Sequence, residues 1–460
     1  MQVRYRTVAA KMGVGSLAVF PPPHRYMFAR DYTTNQGYLW YTAWRGQVGL
    51  GVQQYTDDNT GIDPWMNAPP GTLQEMGLFL LPGAENSEAT LRQVLAYTHG
   101  DRFPHLDGFV TFAPHWHLAY TVQAMEKGRG WVPPFKPEMQ SAGIDAAMIM
   151  DFHGDGHPAD LTSLRLHELD EYYKMCRAQS DAKYLLIPAE EANVYLGGHW
   201  GLVFPKPVYW TQDRSPGQSF KTVDPKYGTV YHVQSPEDVW AMVKAEDGYV
   251  YQTHPRTKGS TGYPDKILNT SYFRDPHYLG TGWKSMPSDL SLPQLGQRGF
   301  KTLDDLNNMG FHKHMLGEID VFQLSATDEF YGLLNLNYLR LSKLPDFDHY
   351  DEILKSVQKG DGFISTGEVL LPRFALSGEG SGQVKVEAQV TSTFPLRQAA
   401  IVWGDGAETH REVIDLNSTH AFDDHSYTWE AKTPGWKWAR LEVWDVAGDG
   451  AFTQPIWSEQ

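Results

Sequence analysis

The sequence predicts an α/β domain with a β-rich part on either side of it. Two runs near the N-terminus are rich in aromatic and β-branched residues, the middle of the chain alternates short apolar runs with amphipathic helices, and the last part alternates apolar and polar residues. We therefore predict an N-terminal β-rich module over residues 1–95, an α/β domain over residues 96–365 and a C-terminal β-sandwich over residues 366–460.

The composition of the 460-residue chain narrows the classes of partner. Its net charge of −16 argues against binding to a nucleic-acid backbone, because no excess of cations is available to neutralise the phosphates. The single cysteine excludes a disulfide framework and a thiolate zinc site. No run approaches the ~20 apolar residues of a membrane span. We expect a small-molecule or glycan-type substrate, no nucleic acid and no membrane span, and the sequence leaves the oligomeric state open.

The N-terminal module is predicted from two strand-like segments, residues 38–55 and 73–81. Between them, Asp, Asn, Gly and Pro residues are typical of a long loop. The first 13 residues carry three basic side chains but lack the apolar stretch of a signal peptide. Either the protein is cytoplasmic or a leader has been removed, and we expect a periplasmic or secreted location ahead of a cytoplasmic one.

The middle domain shows the alternation of strands and helices that is typical of an α/β barrel or a layered α/β fold. Residues 160–178 have apolar side chains near helical spacing, and residues 235–244 begin with Ser, Pro and acidic residues, which are start signals of a helix. Short apolar runs precede polar clusters at residues 109–114, 146–150, 184–188 and 248–253. In such folds the chemistry lies at the ends of the strands.

The C-terminal part is predicted to be all β. Residues 383–391 and 438–443 alternate apolar and polar side chains, and residues 399–403 form a short apolar run. Clusters of Gly, Ser, Glu and Asp separate these runs and are typical of turns. This pattern predicts a small β-sandwich.

Histidine is concentrated in the middle of the chain, which suggests that this part builds a metal site. Fourteen of the 18 histidines lie between His99 and His349, and histidine is the commonest metal ligand. The first motif is His115-x-His117, in which residues i and i+2 of an extended strand point to the same face. Both imidazoles can therefore reach one ion.

A second pair, Asp151 and His153, follows the apolar run AAMIM with the same spacing. Asp155 and His157 come directly after this pair and compete with it for the same role. A polar loop with side chain-to-backbone turns would also explain the segment.

Carboxylates and further histidines follow the next strand-like runs. Glu190 and Glu191 end one run, and one of them could bridge two metal ions, although a solvated helix start would also explain them. His199 follows a Gly-Gly pair, and His254 follows the run GYVY. Taken singly, the segment around His254 fits a strand-end histidine in a turn better than a metal ligand.

The last candidates lie late in the middle domain. Asp346, Asp348 and His349 stand together, and Glu318 and Asp320 lie upstream of them. The clusters together supply imidazole and carboxylate ligands for one to three divalent ions. This ligand set suits Zn, Mn or Fe.

The order of these motifs resembles the PHP (polymerase and histidinol phosphatase) superfamily of metal-dependent hydrolases, and more narrowly its CehA/McbA-like branch. The matching residues, in order along the chain, are His115 and His117 of an H-x-H motif, Asp151 and His153 of a T-D-H motif with one inserted residue, Glu191 of a P-G-x-E motif written here PAEE, His199 of a G-H pair and His254 of an H-P pair. Residues 357–372 resemble the stretch that leaves the barrel and enters a C-terminal β-domain, so the resemblance covers residues 100–460.

The sequence departs from the family at its last motif. The closing S-D-x-H motif is absent. Asp348 is the candidate for the last ligand, with Asp320, Asp346 and His349 as alternatives.

The resemblance implies a distorted (β/α)7 barrel that holds two or three Zn, Mn or Fe ions at the C-terminal ends of its strands. The implied metal ligands are His115, His117, Asp151, His153, Glu191, His199, His254 and Asp348. Catalytic roles would fall to Asp151, His153 and His254. The implied reaction is hydrolysis of a phosphoester by a metal-activated hydroxide, and the branch also includes hydrolysis of aryl carbamate esters.

Candidate substrate contacts lie beside the proposed ligands in sequence. Arg256 and Lys258 follow His254 and could bind an anionic group, although ordinary surface charges are the alternative. Trp116 and Trp200 stand next to proposed ligands and could form a wall for an aryl or sugar group, although most buried tryptophans belong to a core.

Other classes of function stay open. If the departures from the family reflect a degenerate cluster, the protein would be a noncatalytic binding protein, and a lyase or glycosidase could use the same metals. The sequence lacks the P-loop, the Rossmann fingerprint and the G-x-S-x-G motif of a serine nucleophile.

Overall fold

The structure is a computed structural model, and its fold can be described for most of the chain. The described residues are 7–25, 36–40, 50–54, 71, 73, 75, 77–84, 86–153, 162–192, 194–212, 214–256, 270–285, 292–321, 330–379 and 382–458. Within them the chain forms seven α-helices and a large mixed sheet, with smaller sheets beside it that are antiparallel except for one three-stranded mixed sheet within residues 209–232. It is therefore a mixed α/β protein.

The N-terminal part combines strands with one helix. Its elements are β1 (Val8–Met12), β2 (Gly15–Phe20), β3 (Gln36–Trp40), β4 (Leu50–Gln54), β5 (Phe79–Gly83) and α1 (Ser87–Tyr97). Strands β1, β2 and β5 form one antiparallel sheet, and β3 pairs with β4. The predicted strand over residues 38–55 is thus split into β3 and β4, with residues 41–49 outside the described residues.

Helix α1 and strand β5 pack this part against the C-terminal part of the chain. Asn86 caps the helix by accepting a hydrogen bond from the Ala89 N–H at 3.0 Å. The rings of Phe79 and Tyr97 lie 4.9 and 4.6 Å from the ring of Phe394 in the C-terminal part. The helix also extends across the predicted boundary after residue 95, so the first module is not made of strands alone.

The middle of the chain alternates strands and helices as predicted. Its elements are β6 (Val110–Trp116), α2 (Tyr120–Lys127), α3 (Phe135–Ser141), β7 (Ala146–His153), α4 (Thr162–Gln179), β8 (Leu185–Glu191), β9 (Trp200–Val203), β10 (Tyr209–Thr211), β11 (Lys221–Asp224), β12 (Gly228–His232), α5 (Pro236–Ala245), β13 (Tyr249–Gln252), β14 (Tyr278–Trp283), α6 (Gln297–Asn308), β15 (His314–Gly317), β16 (Leu336–Leu339), α7 (Asp351–Lys359) and β17 (Gly362–Ser365). The four predicted apolar runs correspond to β6, β7, β8 and β13. Helix α5 begins where its start signals predicted, because Ser235 accepts from the Asp238 N–H at 3.2 Å.

The C-terminal part consists of two antiparallel sheets. Its strands are β18 (Val369–Glu379), β19 (Gln383–Ser392), β20 (Leu396–Gly404), β21 (Thr409–Asp415), β22 (Asp423–Lys432), β23 (Trp438–Asp445), β24 (Gly450–Thr453) and β25 (Ile456–Trp457). Strands β18, β19 and β22 form one sheet, and β18 and β19 contact β23 of the other. Residues along β19 alternate between buried and more exposed positions, which is the period of two that the sequence predicted. This arrangement is sandwich-like.

A 14-stranded sheet joins the middle and C-terminal parts, with the strand order β15-β14-β13-β9-β8-β7-β6-β16-β17-β24-β23-β20-β21 and with β25 on β23. Strands β6, β7 and β8 are parallel, and so are β13, β14 and β15, while β9 runs antiparallel between the two groups. Both parallel groups therefore end at the same edge of the sheet. Strands β6 and β8 are buried along their whole length, as is typical of parallel strands covered on both faces.

Within the series β6, β7, β8, β9, β13, β14 and β15, the C-terminal ends of the outermost strands, β6 and β15, approach each other. The His117 N–H after β6 donates to the Val321 carbonyl after β15 at 2.8 Å, and the Asp320 N–H donates to the His115 carbonyl at 2.8 Å. These bonds bring the residues that follow β6 and β15 side by side. The distorted (β/α)7 barrel itself stays a prediction.

A buried ion network connects α6 to the sandwich. The Arg440 guanidinium on β23 contacts Asp304 of α6 and donates to Glu442 at 3.0 and 2.8 Å. Arg411 adds a second cation to Glu442 at 2.8 Å. Burial lowers the pKa of Arg440, but the two carboxylates outweigh burial and raise it. Arg440 therefore stays charged, whereas burial raises the pKa of Asp304 in spite of the contact with Arg440.

The described residues contain no helix that has both the length and the apolar character to cross a bilayer.

Replacing Arg440 should destabilise the fold. In Arg440→Ala, Asp304 and Glu442 would stay buried with less positive charge near them, and breaking a buried pair costs about 3–5 kcal/mol. The free energy of unfolding, measured by urea denaturation, should fall by that amount. The control Arg397→Ala removes an exposed arginine from β20 and should change it by about 0.5 kcal/mol or less. Equal effects of the two substitutions would contradict the role given to the network.

Candidate metal centre

A cluster of titratable side chains lies at the edge where the parallel strands end. Its members are His115 and His117 from β6, Glu191 from β8, His199 before β9, His254 after β13, Lys284 after β14, and Glu318 and Asp320 after β15. Because the strands run in one direction, residues that are far apart in sequence meet at this edge. All of them except His199 are at least nine-tenths buried.

The backbone at the end of β6 turns both histidines toward one point. The pairing of β6 with β7 shifts register between Pro114 and Trp116, and His115 has a positive φ of 76°. As a result, the Nε2 atoms of His115 and His117 lie 3.0 Å apart. The sequence predicted this convergence from a regular strand, but the structure achieves it through a bulge.

Glu191 lies between the imidazoles. Its Oε1 is 3.4 Å from His115 Nε2, 3.3 Å from His254 Nε2 and 3.0 Å from His199 Nδ1. Its Oε2 is 3.3 Å from His117 Nε2. The carboxylate therefore faces nitrogen atoms with both oxygens, which is the arrangement of a ligand that bridges two ions.

Asp320 closes the group from the opposite strand. Its Oδ1 is 3.7 Å from the Nε2 atoms of both His115 and His117, and its Oδ2 is 3.5 Å from His254 Nε2. The Lys284 ammonium also contacts Oδ2. The backbone of Asp320 has a positive φ of 57° and is held by the His115 carbonyl.

The spacing of these atoms fits divalent ions. Bonds of 2.0–2.2 Å from a tetrahedral zinc ion place neighbouring ligand atoms about 3.3–3.5 Å apart, and the distances above range from 3.0 to 3.7 Å. Two overlapping sets have ligand atoms within 4.8 Å of one another: His115, His117 and Asp320, and His115, Glu191 and His254. The residues present therefore fit one or two ions.

The charges of the cluster also favour a cation. Glu191, Glu318 and Asp320 are three carboxyl groups beside the one ammonium of Lys284, so further positive charge is needed, either as a proton on an imidazole or as a metal ion. Burial of unbalanced charge is costly. A divalent ion would balance it.

The charged groups of the cluster also shift the pKa values of His115 and Asp320. Burial lowers the pKa of His115, but the carboxylates of Glu191, Glu318 and Asp320 outweigh burial and raise it to about 10. Burial raises the pKa of Asp320, but Lys284 and the nearby histidines hold it well below its usual range. Asp320 therefore stays ionised, and His115 carries a balancing proton when no metal ion is bound.

Glu318 orients one of the imidazoles. Its Oε2 accepts from His115 Nδ1 at 2.7 Å, which leaves His115 Nε2 facing the cluster, and its Oε1 accepts from the His254 N–H. Such carboxylate–imidazole pairs fix the tautomer and direction of a metal-binding histidine. A Cβ at Gly282 would overlap Glu318 Oε1, so only glycine at that position leaves room for the carboxylate.

The structure does not bring Asp151 to the cluster, which corrects its assignment as a metal ligand and catalytic residue. Its carboxylate accepts from the Leu118 N–H at 2.9 Å and the Thr121 N–H at 3.2 Å. Burial raises the pKa of Asp151. Its carboxylate thus holds the backbone at the start of α2, next to His117.

The neighbours of Asp151 in the second motif are described only in part. The backbone of His153 pairs with Glu191 in the register of β7 and β8, and its side chain lies outside the described part of the chain. Asp155, His157 and Lys258 also lie outside the described residues.

Asp348 does not lie in the cluster either, which corrects its assignment as the last ligand. Its side chain is 66% exposed and forms an ion pair with Arg177 at 2.5 Å. Asp346 and His349 are exposed as well and contact each other at 2.7 Å. Asp320, the alternative candidate, occupies the position next to the histidines.

The two tryptophans are core residues, which corrects their assignment as substrate contacts. Trp116 and Trp200 are both 0% exposed. Their indole N–H groups donate to the Ala113 carbonyl at 2.8 Å and the Val194 carbonyl at 3.0 Å. Both rings are therefore shielded from solvent within the described part of the chain.

Among the described residues, the cation that contacts the cluster was not expected from the sequence. Arg256 lies two residues after His254 but forms an ion pair with Asp305 at 2.7 Å. Lys284 instead contacts Asp320, and it directly follows the buried strand YLGTGW. In the sequence, the feature that could have indicated Lys284 was its position directly after an apolar run.

No family model and no curated protein matches the chain. Among solved structures, a β-glucosidase from Listeria innocua in complex with glucose is similar at 10% identity, with a TM-score of 0.12, over 49% of this chain and 39% of that chain. This likeness is too weak to support an argument about fold or function, so the functional argument depends on the geometry of the cluster.

The neighbouring residues Glu190 and Glu191 provide a matched test of the centre. Glu191→Gln removes the carboxylate between the histidines and should weaken binding of Zn²⁺ or Mn²⁺ at least ~100-fold, above the effect typical of a residue that only orients a ligand. Glu190 points to the opposite face, where it contacts Arg165 and accepts from Trp210 Nε1 at 2.8 Å. Glu190→Gln should therefore keep the affinity of the unaltered protein in a calorimetric titration. If both variants bind metal like the unaltered protein, Glu191 is not a ligand.

Proposed function

We propose that the protein is a metal-dependent hydrolase that acts on a phosphoester or a related ester linked to an aryl group or a glycan. The observation that carries this proposal is the position of Glu191, with both carboxylate oxygens between the imidazole nitrogens of four histidines. One or two Zn, Mn or Fe ions, rather than the two or three that the family resemblance implies, would be held by His115, His117, Glu191, His199, His254 and Asp320.

The bound ions would lower the pKa of a water molecule toward ~7 and polarise the ester oxygen. The protein's own residues set the geometry for this chemistry. The Glu318 carboxylate hydrogen-bonds to His115 Nδ1 and to the backbone N–H of His254. One carboxylate thus positions both histidines. The cluster is thereby arranged before substrate arrives, which reduces the reorganisation needed during the reaction.

Lys284 is the residue best placed to carry a proton in the centre. Its ammonium contacts Asp320, which in turn faces His115 and His117. A buried ammonium at this place can stabilise negative charge on an ester oxygen or give a proton to a leaving group. This role is proposed in place of the one that the sequence suggested for Arg256.

The charges near the centre favour a small substrate. Lys284 and Arg256 are already engaged with Asp320 and Asp305, and the chain has a net charge of −16. A polyanion would meet repulsion at long range. A substrate with a single ester group fits better.

The barrel expected from the family resemblance belongs to the same proposal. Hydrogen bonds from the end of β6 to residues 320 and 321 support a closed arrangement of β6, β7, β8, β9, β13, β14 and β15. In such a barrel the centre would lie at the C-terminal ends of the strands, where α/β barrels carry their active sites.

The proposal predicts metal-dependent hydrolysis that requires His254. Protein loaded with Mn²⁺ or Zn²⁺ should hydrolyse at least one of p-nitrophenyl phosphate, bis-p-nitrophenyl phosphate or an aryl carbamate, and a chelator should abolish the activity. His254→Ala should lower kcat/KM by about 100-fold or more, because it removes a nitrogen 3.3 Å from Glu191.

The matched control for this substitution is His277→Ala. His277 is half-buried and contacts the Gly248 carbonyl at 2.8 Å, at the opposite end of the strands, so its removal should leave kcat/KM within about twofold. Bound metal without hydrolysis of any of these esters would favour a noncatalytic binding protein. Equal losses in His254→Ala and His277→Ala would also argue against the proposal.

A further inference from the structure

A second buried group of ionisable residues lies where the three parts of the chain meet. His24 follows β2 in the N-terminal part, Glu368 lies between β17 and β18, and Asp445 and Asp449 flank the turn between β23 and β24. Each is between 0 and 1% exposed. The group shares no residue with the centre that contains Glu191.

Three of these residues converge on one point. His24 Nε2 lies 3.3 Å from Glu368 Oε2. One ligand atom each of His24, Glu368 and Asp449 lies within 4.8 Å of the others. These separations are short enough for all three to bind one ion.

The hydrogen bonding of Asp449 is a second indication of a bound ligand, independent of the clustering. Among the described residues, neither of its carboxylate oxygens accepts a hydrogen bond, although the residue is fully buried. Buried polar groups are almost always hydrogen-bonded or bound to an ion. A buried carboxylate without a hydrogen-bond donor is therefore the expected state of a metal ligand seen without its ion.

Asp445 shapes the turn that presents Asp449. Its Oδ1 accepts from the Asp449 N–H at 2.9 Å, and its backbone N–H donates to the Asp449 carbonyl at 2.9 Å. The turn contains Gly448, whose φ is +85°. The backbone of Asp449 is thus fixed, and its side chain is directed toward His24 and Glu368.

The group holds more carboxyl groups than cations. Glu368, Asp445 and Asp449 supply three carboxyl groups, and the Arg25 guanidinium lies beside them, against the space where a Cβ at Gly448 would be. Burial and the neighbouring Glu368 raise the pKa values of Asp445 and Asp449 well above their usual range. The three carboxyl groups can therefore be ionised together only if a further cation, such as a divalent ion, lies among them.

We propose that His24, Glu368 and Asp449 bind one divalent cation that connects the N-terminal part of the chain to the C-terminal sandwich. The imidazole nitrogen favours Zn, Mn or Fe over Ca²⁺, which takes oxygen ligands. The ion supports the structure rather than the reaction, so this proposal does not depend on the proposed hydrolase activity.

Two substitutions separate this site from the centre around Glu191. Asp449→Asn should lower the Mn²⁺ content by one ion per chain, and it should lower the melting temperature in Mn²⁺ while the hydrolase activity stays within about twofold. Glu191→Gln should abolish activity but keep one Mn²⁺ per chain. The matched control is Asp415→Asn, which alters an exposed aspartate on β21 and should change neither quantity.

Two results would contradict the cation site. If the group is empty in solution, Asp449→Asn only replaces a buried carboxyl group that has no hydrogen-bond donor, so the melting temperature would rise or stay constant and no metal would be lost. That result overturns the proposal. A Glu191→Gln protein without any bound Mn²⁺ also overturns it.

A variant that fails to fold does not end the test. The electron paramagnetic resonance spectrum of Mn²⁺ in the full-length Glu191→Gln protein reports whether a nitrogen ligand is coupled to the ion. A single nitrogen coupling is expected from His24, and a spectrum of freely hydrated Mn²⁺ would contradict the site. If this ion is present but the esters are not hydrolysed, only the proposed function fails.

Discussion

The contact between the Glu191 carboxylate and the surrounding imidazoles is the interaction on which the rest of the centre depends. Glu191 is almost fully buried, and its two oxygens face nitrogen atoms of His115, His117, His199 and His254. A carboxylate in this position is stable only if positive charge is supplied to it, either by protons on the imidazoles or by a metal ion. The arrangement is therefore costly without a cation and favourable with one.

The sheet explains how such a group can form. Parallel strands place their C-terminal ends at one edge, and buried apolar strands hold those ends rigidly. The positive φ values at His115, His254 and Asp320 show that the backbone at this edge departs from the geometry that these residues prefer. Such departures gather at functional sites, where the surrounding structure holds the chain in place. Here the support comes from Glu318 and from the hydrogen bonds between the residues that follow β6 and β15.

The sequence was sufficient to find those residues of the cluster that belong to a local pattern. The histidines of the H-x-H motif, and Glu191 at the end of an apolar run, were predictable because a strand end and its spacing are local properties. The alternation of strands and helices, and the start of α5 at Ser235, were predictable for the same reason. The family-level barrel and the function remain proposals, because no comparison with a known protein tests them.

The remaining residues could not be assigned because their roles depend on long-range contacts. Asp151 has the spacing of a ligand, but its carboxylate accepts hydrogen bonds from the backbone N–H of Leu118, which precedes α2, and of Thr121, in the first turn of α2. Asp348 lies at the surface, where it forms an ion pair with Arg177. Lys284 and Glu318 contribute because β14 and β15 lie beside one another and reach across to β6, which spacing within one segment does not reveal.

The most direct test of the account is anomalous X-ray diffraction from crystals of the full chain grown with Mn²⁺ or Zn²⁺, with data collected at the absorption edge of the metal. The account predicts an anomalous peak about 2.0–2.3 Å from a Glu191 oxygen and from the Nε2 atom of at least one of His115, His117 and His254. A peak only at surface carboxylates, with the space around Glu191 filled by water, would contradict the assignment of this cluster as a metal centre.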